Sequence, residues 1–232
     1  MWLRSDVCPG KRIVLSYAVP VDRASECATV RHALFRTEKA GCNMDSSPTG
    51  ISKMEHGAHR IQIAEARSQS DVAEAVECLR EFLAWLHARY APREWIVREY
   101  FSEMALEKEL SALPVAYAAP EAAILLASVD DTRAGCVMFR KLEPGICEMK
   151  RMYIKPAFQR MGLGRRFATE LMLLARQRGY LKMRLDTGPL QPEAQSLYRS
   201  LGFYPIPCYY DCPEPLRPEL LFMEACLEAC DA

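Results

Sequence analysis

A strand that runs into a turn of glycines and arginines, with a long amphipathic segment behind it, has the makings of an anion site. The stretch is "MYIKPAFQRMGLGRRFATELMLLARQRGY", Met152 to Tyr180. Its turn is Gln159, Arg160, Met161, Gly162, Leu163, Gly164 and Arg165, with Arg166 behind it. The first N–H groups of a helix lack intrahelical partners, and the helix dipole adds about half a positive charge there. Glycine lets the backbone approach a phosphate with no Cβ in the way. The arginines supply full charges around it. The spacing is neither G-x-G-x-x-G nor G-x-x-x-x-G-K-[ST], so the dinucleotide fingerprint and the nucleotide P-loop both fail. An ordinary strand-to-helix turn with solvated arginines stands as the alternative.

Other chemistry is sparse. The histidines, at 32, 56, 59 and 87, fall in no motif, so no Ser-His or Cys-His arrangement lies near the turn. Ten cysteines are scattered, and Cys78 and Cys136 sit in apolar runs, where a thiol behaves as a small hydrophobe. That usage suits a reducing cytoplasm. Cys208-x-x-x-Cys212 and Cys226-x-x-x-Cys230 have a loose zinc spacing, but no histidine in the C-terminal half supports them. Free thiols and no metal are expected. The chain carries 30 basic and 30 acidic residues, which argues against nucleic acid or an anionic membrane as partner. No apolar run approaches the roughly 18 residues of a membrane span.

The elements that must position the turn can be read along the chain of 232 residues, half of them apolar. Residues 1–57 hold "CNMDSSPTGISKMEHGAH" and no sustained period, which predicts a disordered extension; a natural start at Met54 is a second reading. "HRIQIAEA" alternates as a strand. Ser70-Asp71-x-x-Glu74 reads as a capping box, and Val72, Ala75, Val76, Leu79, Phe82, Leu83 and Leu86 form one helical stripe. "EWIVREYFSEMALEKELSAL" predicts a second helix, ended by Pro114. "AAILLASV", "GCVMFRKL" and "CEMKRMYI" predict an antiparallel meander with turns at 130–135 and 143–145. The helix after Gly164 turns Phe167, Leu171, Leu174 and Ala175 inward and is capped by Gly179. "LKMRLDT" is a strand, and Pro192 to Leu201 a short helix closed by Gly202. "FYPIPCYY" and "ELLFMEACL" would close the sheet.

Gln-x-x-Gly-x-Gly after a meander strand, with "EAQSLYRSLGF" (Glu193 to Phe203) one strand later, closely resembles the GNAT superfamily of N-acetyltransferases. The resemblance covers about residue 59 to the C-terminus and implies one domain over 58–232. It implies a mixed, mostly antiparallel central sheet of about seven strands flanked by helices, with one splayed strand pair that admits coenzyme A. Acetyl-CoA is the implied co-substrate and an amine the acceptor, with a homodimer left open. The loop amides from Arg160 through Met161, Gly162, Leu163 and Gly164 to Arg165 would hold the pyrophosphate, with Gln159 in the same motif. The backbone of Met152, Tyr153 and Ile154 would hydrogen-bond the pantetheine arm like an added strand.

The resemblance also implies roles in the chemistry. Tyr198 lies at the family's position for the general acid on the leaving thiolate, and a tyrosine near its ordinary pKa of about 10 is protonated at pH 7. A core tyrosine packed with Leu197 and Leu201 is the alternative. Glu148 stands eleven residues before Gln159, the offset of a catalytic Glu in the superfamily's histone acetyltransferases. Its alternative is an ion pair with Lys150 or Arg151. Tyr209, Tyr210 and Asp211, read as the end of a strand, could seat a cationic amine; the tyrosines could equally fill the outer core and Asp211 cap a turn. Three functions compete: acetylation of a small amine, modification of a protein N-terminus or lysine, and a non-catalytic acyl-CoA-binding regulator. Tyr198 and Glu148 together favour an enzyme, and the balanced charge favours a small acceptor.

Overall fold

The computed structural model describes residues 59–101 and 103–227, and the side chains of 103–107 lie outside that description. The expectations for residues 1–57 fall outside it too. Seven strands form one sheet in the order β1-β2-β3-β4-β5-β7-β6. They are β1 (Ile61–Glu65), β2 (Ala123–Val129), β3 (Thr132–Glu143), β4 (Ile146–Ile154), β5 (Lys182–Thr187), β6 (Tyr204–Pro205) and β7 (Leu221–Cys226). The helices are α1 (Gln69–Arg89), α2 (Glu94–Tyr100), α3 (Glu103–Ala116), α4 (Leu163–Gln177) and α5 (Pro192–Ser200). Every strand pair is antiparallel except β4 with β5. Among the described residues no helix is long and apolar enough to cross a membrane.

The sheet is covered on both faces. One face packs Phe167, Leu171 and Ala175 of α4 against Val137, Phe139, Met149 and Met183, and Tyr198 of α5 joins this layer. The other packs Leu79, Phe82 and Leu86 of α1, with Ile96 and Val97 of α2 and Leu113 of α3, against Leu126 and Met138. The meander fits the expectation, because its strands read as near-continuous apolar runs where both faces are buried.

Four details differ from the sequence reading. The cap of α1 is Ser68, not Ser70. Its hydroxyl accepts from the Asp71 amide at 3.1 Å and the Asp71 carboxylate accepts from the Ser68 amide at 2.9 Å, a reciprocal capping box two residues early. The second helix is two helices, with the break at Phe101, whose ring lies tilted against Tyr100 with centroids 4.7 Å apart. Pro114 lies inside α3 rather than ending it. It sits in the last turn, where its missing N–H forfeits a single helical bond. Finally, the strand after Phe203 is only Tyr204–Pro205. Pro205 and Pro207 have no N–H to give a ladder, so β6 stays a short edge and Tyr209 and Tyr210 lie in irregular chain beyond it.

Candidate active site

The parallel pair β4–β5 is where the site opens. Ile146 pairs with Lys182, Cys147 with Met183 and Glu148 with Arg184, and there the pairing ends among the described residues. From Met149 onward β4 has no neighbour on that side among the described residues, so the two strands form a fork. The outer part of β4 is also bulged against β3: Met138 faces Lys150 and Cys136 faces Tyr153, so two steps on β3 match three on β4. The bulge puts Arg151 at φ 56, in the left-handed region. An open strand edge of this kind offers backbone donors and acceptors to an extended, amide-bearing ligand.

The turn after β4 stands at the far end of the fork. Gln159 donates from its amide to the Ile154 carbonyl at 3.1 Å and ties the turn to β4. Arg160 (φ 65) and Gly162 (φ 78) are both left-handed. Such positions turn successive amides toward one side, as in anion-binding nests. Gly162 is the N-cap of α4 without a side-chain cap, and the Arg166 amide makes the first bond back to it. The amides of Leu163, Gly164 and Arg165 are therefore the helix's unpaired first donors. At Gly164 a Cβ would come within 3.1 Å of Leu197 and 3.5 Å of Ile154. Its absence lets the mouth of α4 close on both α5 and β4. Arg165 donates to Ser200 at 2.9 Å, a second tie between the two helices.

Between the strands lies a cavity of about 690 Å³, part of it open to solvent. Met152 and Tyr198 line it, as do Leu185, Asp186 and Thr187 of β5. Helices α1 and α2 form its apolar wall with Phe82, Leu86, Ile96 and Val97. Tyr198 is buried, and burial, then the Asp186 charge, push its phenol well above the ordinary value. It is a protonated donor throughout the neutral range.

The floor of the cavity is a network of buried charge. Lys150 of β4 reaches across the fork to Asp186 of β5 at 3.2 Å, with side chains 10% and 4% exposed. Lys150 also donates to the Tyr100 hydroxyl at 3.0 Å and lies 3.3 Å from Glu148. Burial alone would lower the Lys150 pKa, but Asp186, Tyr100 and Glu148 hold it well above the ordinary range. Burial would raise Asp186, and Lys150 with Tyr100 outweighs it, so the carboxyl stays ionised below its usual range.

Glu148, 1% exposed, sits behind Lys150 and does not line the cavity. Arg140 donates to it at 2.9 Å and the Tyr209 hydroxyl at 2.9 Å. The ion-pair alternative thus has its partners, though they are Lys150 and Arg140; Arg151 instead pairs with Glu109. Tyr210 donates to Asp186 at 3.3 Å, and both tyrosine rings pack edge-on against Phe222. They buttress the carboxylates from outside the cavity. Asp211 is exposed and makes no hydrogen bond among the described residues.

The structure brings Met152, Tyr198 and the loop amides to one fork, and Glu148, Tyr209 and Tyr210 to one charge network. It leaves Asp211 apart. The sequence reading missed Asp186, Tyr100 and Glu109. An available signal was the run Lys182, Arg184, Asp186, three charges on one face of a strand beside a carboxylate-bearing one.

Known proteins carry the same plan. The family model described as the acetyltransferase (GNAT) family matches residues 80–203, just over half of the chain. An uncharacterised N-acetyltransferase of Schizosaccharomyces pombe is 33% identical over 129 residues, 52% of this chain and 79% of that protein. A GNAT-family acetyltransferase structure from Staphylococcus aureus Mu50 superposes with a TM-score of 0.56 at 15% identity, over 72% of this chain and 99% of that one. The PaiA N-acetyltransferase of Thermoplasma acidophilum, solved in complex with coenzyme A, gives 0.53 at 22% identity, over 72% and 98%. The chain belongs to the GNAT acetyltransferase family. It is an acyltransferase enzyme, built on a mixed, mostly antiparallel seven-stranded sheet flanked by helices.

Proposed function

We propose that the protein transfers the acetyl group of acetyl-CoA to the primary amine of a small molecule, by direct attack in a ternary complex. The observation that carries this is the fork. It combines an open β4 edge, a left-handed glycine turn at a helix mouth and a buried tyrosine on one cavity. The PaiA N-acetyltransferase, which shares the fold, was solved in complex with coenzyme A, and this supports coenzyme A as the ligand here. The pyrophosphate would lie on the amides from Arg160 to Arg165, with the Gln159 tie holding the turn. The pantetheine arm would run along the backbone of Met152, Tyr153 and Ile154.

In the step itself the neutral amine nitrogen attacks the thioester carbonyl carbon, and a C–N bond forms. The C–S bond then breaks, and the departing thiolate takes the Tyr198 hydroxyl proton. The amine's surplus proton leaves to water, and the tyrosinate is reprotonated from solvent. The products are an N-acetylated amine and free coenzyme A. A base role for Glu148 would run through Lys150, which contacts it and lines the cavity. The wall that α1 and α2 build along one side of the cavity favours a small acceptor over a protein chain.

The experiment is a screen of primary amines with acetyl-CoA, reading N-acetyl product by mass spectrometry. Product formation that tracks coenzyme A release supports the reading. Tight acetyl-CoA binding without product from any amine would make the protein an acyl-CoA-binding regulator instead.

A further inference from the structure

Arg151 has no part in the transfer step, yet its placement is unusually constrained. It occupies a left-handed backbone position at the bulge of β4, a conformation that non-glycine residues seldom hold without a reason in the surrounding structure. Its side chain is 10% exposed and lines the cavity. Glu109 takes one edge of the guanidinium, Nε at 3.0 Å and Nη2 at 2.5 Å. The Phe101 ring lies 4.3 Å from the guanidinium carbon and the Tyr100 ring 5.6 Å. A guanidinium has a second two-pronged edge, and the Nη1 end of Arg151 has no partner among the described residues. A rigid arginine of this kind is a receptor for a planar anion, above all a carboxylate.

The opposite charge is presented from β5. Asp186 also lines the cavity and is held ionised. The charges that face the cavity are thus Lys150, Arg151 and Asp186, backed by Glu109, Glu148 and Arg140, and the set is balanced. A polycation would meet two cations there. A plain monoamine would bring no anion to the Nη1 end of Arg151. A ligand with one ammonium and one carboxylate gives Arg151 a second anion and adds a donor to Asp186 beside Lys150 and Tyr210, and the α1–α2 wall takes an apolar body.

We infer that the acceptor is a small apolar amino acid, its amine received by Asp186 and its carboxylate by the Nη1 end of Arg151. The inference deepens the acetyltransferase reading and rests on it. The test is steady-state kinetics of the full chain at saturating acetyl-CoA. Leucine, methionine and phenylalanine are each compared with their own amide and their own decarboxylated amine. The acids should exceed their partners in kcat/KM by about 10- to 100-fold, the range for losing a charge-assisted hydrogen-bonded pair. The amides are the weaker bases and carry more neutral amine at pH 7, so intrinsic reactivity runs against the expected order. Arg151→Lys should keep the charge, lose the second edge and bring the acid-to-amide ratio toward one, with KM for acetyl-CoA unchanged. A merely structural arginine would lower all three acceptor classes alike. If the variant does not fold, the wild-type ratios decide alone. Amides or decarboxylated amines that match the acids would overturn the inference, as would turnover confined to other amines. Acetyl-CoA binding with no acceptor turned over would instead remove the acetyltransferase reading itself.

Discussion

Gly162 offers the sharpest test of the phosphate seat, because the structure separates strain from charge there. The residue has φ +78, and an added Cβ would meet nothing within 4 Å. Gly162→Ala therefore introduces no clash, only the left-handed cost of about 1–2 kcal/mol. For a domain of this size that lowers Tm by about 2–8 °C. Gly162→Glu carries the same strain plus a carboxylate at the mouth of α4. Against a phosphate charge roughly 5 Å away, in a setting between water and protein, the repulsion is about 1–3 kcal/mol. Acetyl-CoA should then bind about 10- to 100-fold more weakly to the Glu variant than to the Ala variant. The gap should narrow as salt is raised, since exposed charges are screened. Titration calorimetry at low and high ionic strength, with circular dichroism to confirm folding, reads both. Equal affinities for folded Ala and Glu variants would remove the pyrophosphate from this loop.

Tyr198→Phe should cut kcat by about 10²- to 10⁴-fold and leave the acetyl-CoA Kd near wild type; unchanged turnover would pass the acid role to water. Asp211→Asn should leave both KM values unchanged, since Asp211 is exposed and apart from the cavity; a selective rise for the amine would place it in the acceptor site. Gly135→Ala would set a Cβ 2.2 Å from the Tyr153 carbonyl and force β3 from the β4 bulge. It should cost about 1–3 kcal/mol in a thermal melt, and a wild-type Tm would contradict that packing. Glu224 is held at about pKa 2: burial would raise it, and Lys182, Tyr204 and Arg184 outweigh burial. Its folded value lies below the ordinary 4.5, so its stabilising contribution is full above about pH 4.5 and is lost as pH falls toward 2. Glu224→Gln should flatten acid unfolding in that window, and an unaltered acid limb would assign it to other carboxylates.

Local periodicity carried much of the architecture. The stripe of Phe167, Leu171 and Ala175 gave α4, and the apolar meander gave β2 to β4, because each pattern is complete within one segment. The fork was not legible from the residues alone. Nothing in "CEMKRMYI" or "LKMRLDT" says that their pairing stops after Glu148, since register belongs to two strands and not to either. Asp186 was hidden for a related reason. Lys182, Arg184 and Asp186 read as the solvent face of a strand, but α1 to α3 and the chain around Tyr209 and Tyr210 cover that face at its outer end. The extended reading of Tyr209 and Tyr210 failed because Pro205 and Pro207 withhold ladder donors, a turn-chemistry signal that lay in the sequence.

Amide hydrogen exchange with and without acetyl-CoA tests the central claim most directly, since it locates the cofactor on the chain. Binding should slow exchange in β4 from Met149 to Ile154 and in the turn from Arg160 to Arg165, and leave β1 and β2 unchanged. Saturated binding that protected neither segment, or protected the β1 side of the sheet instead, would contradict the fork as the acetyl-CoA site.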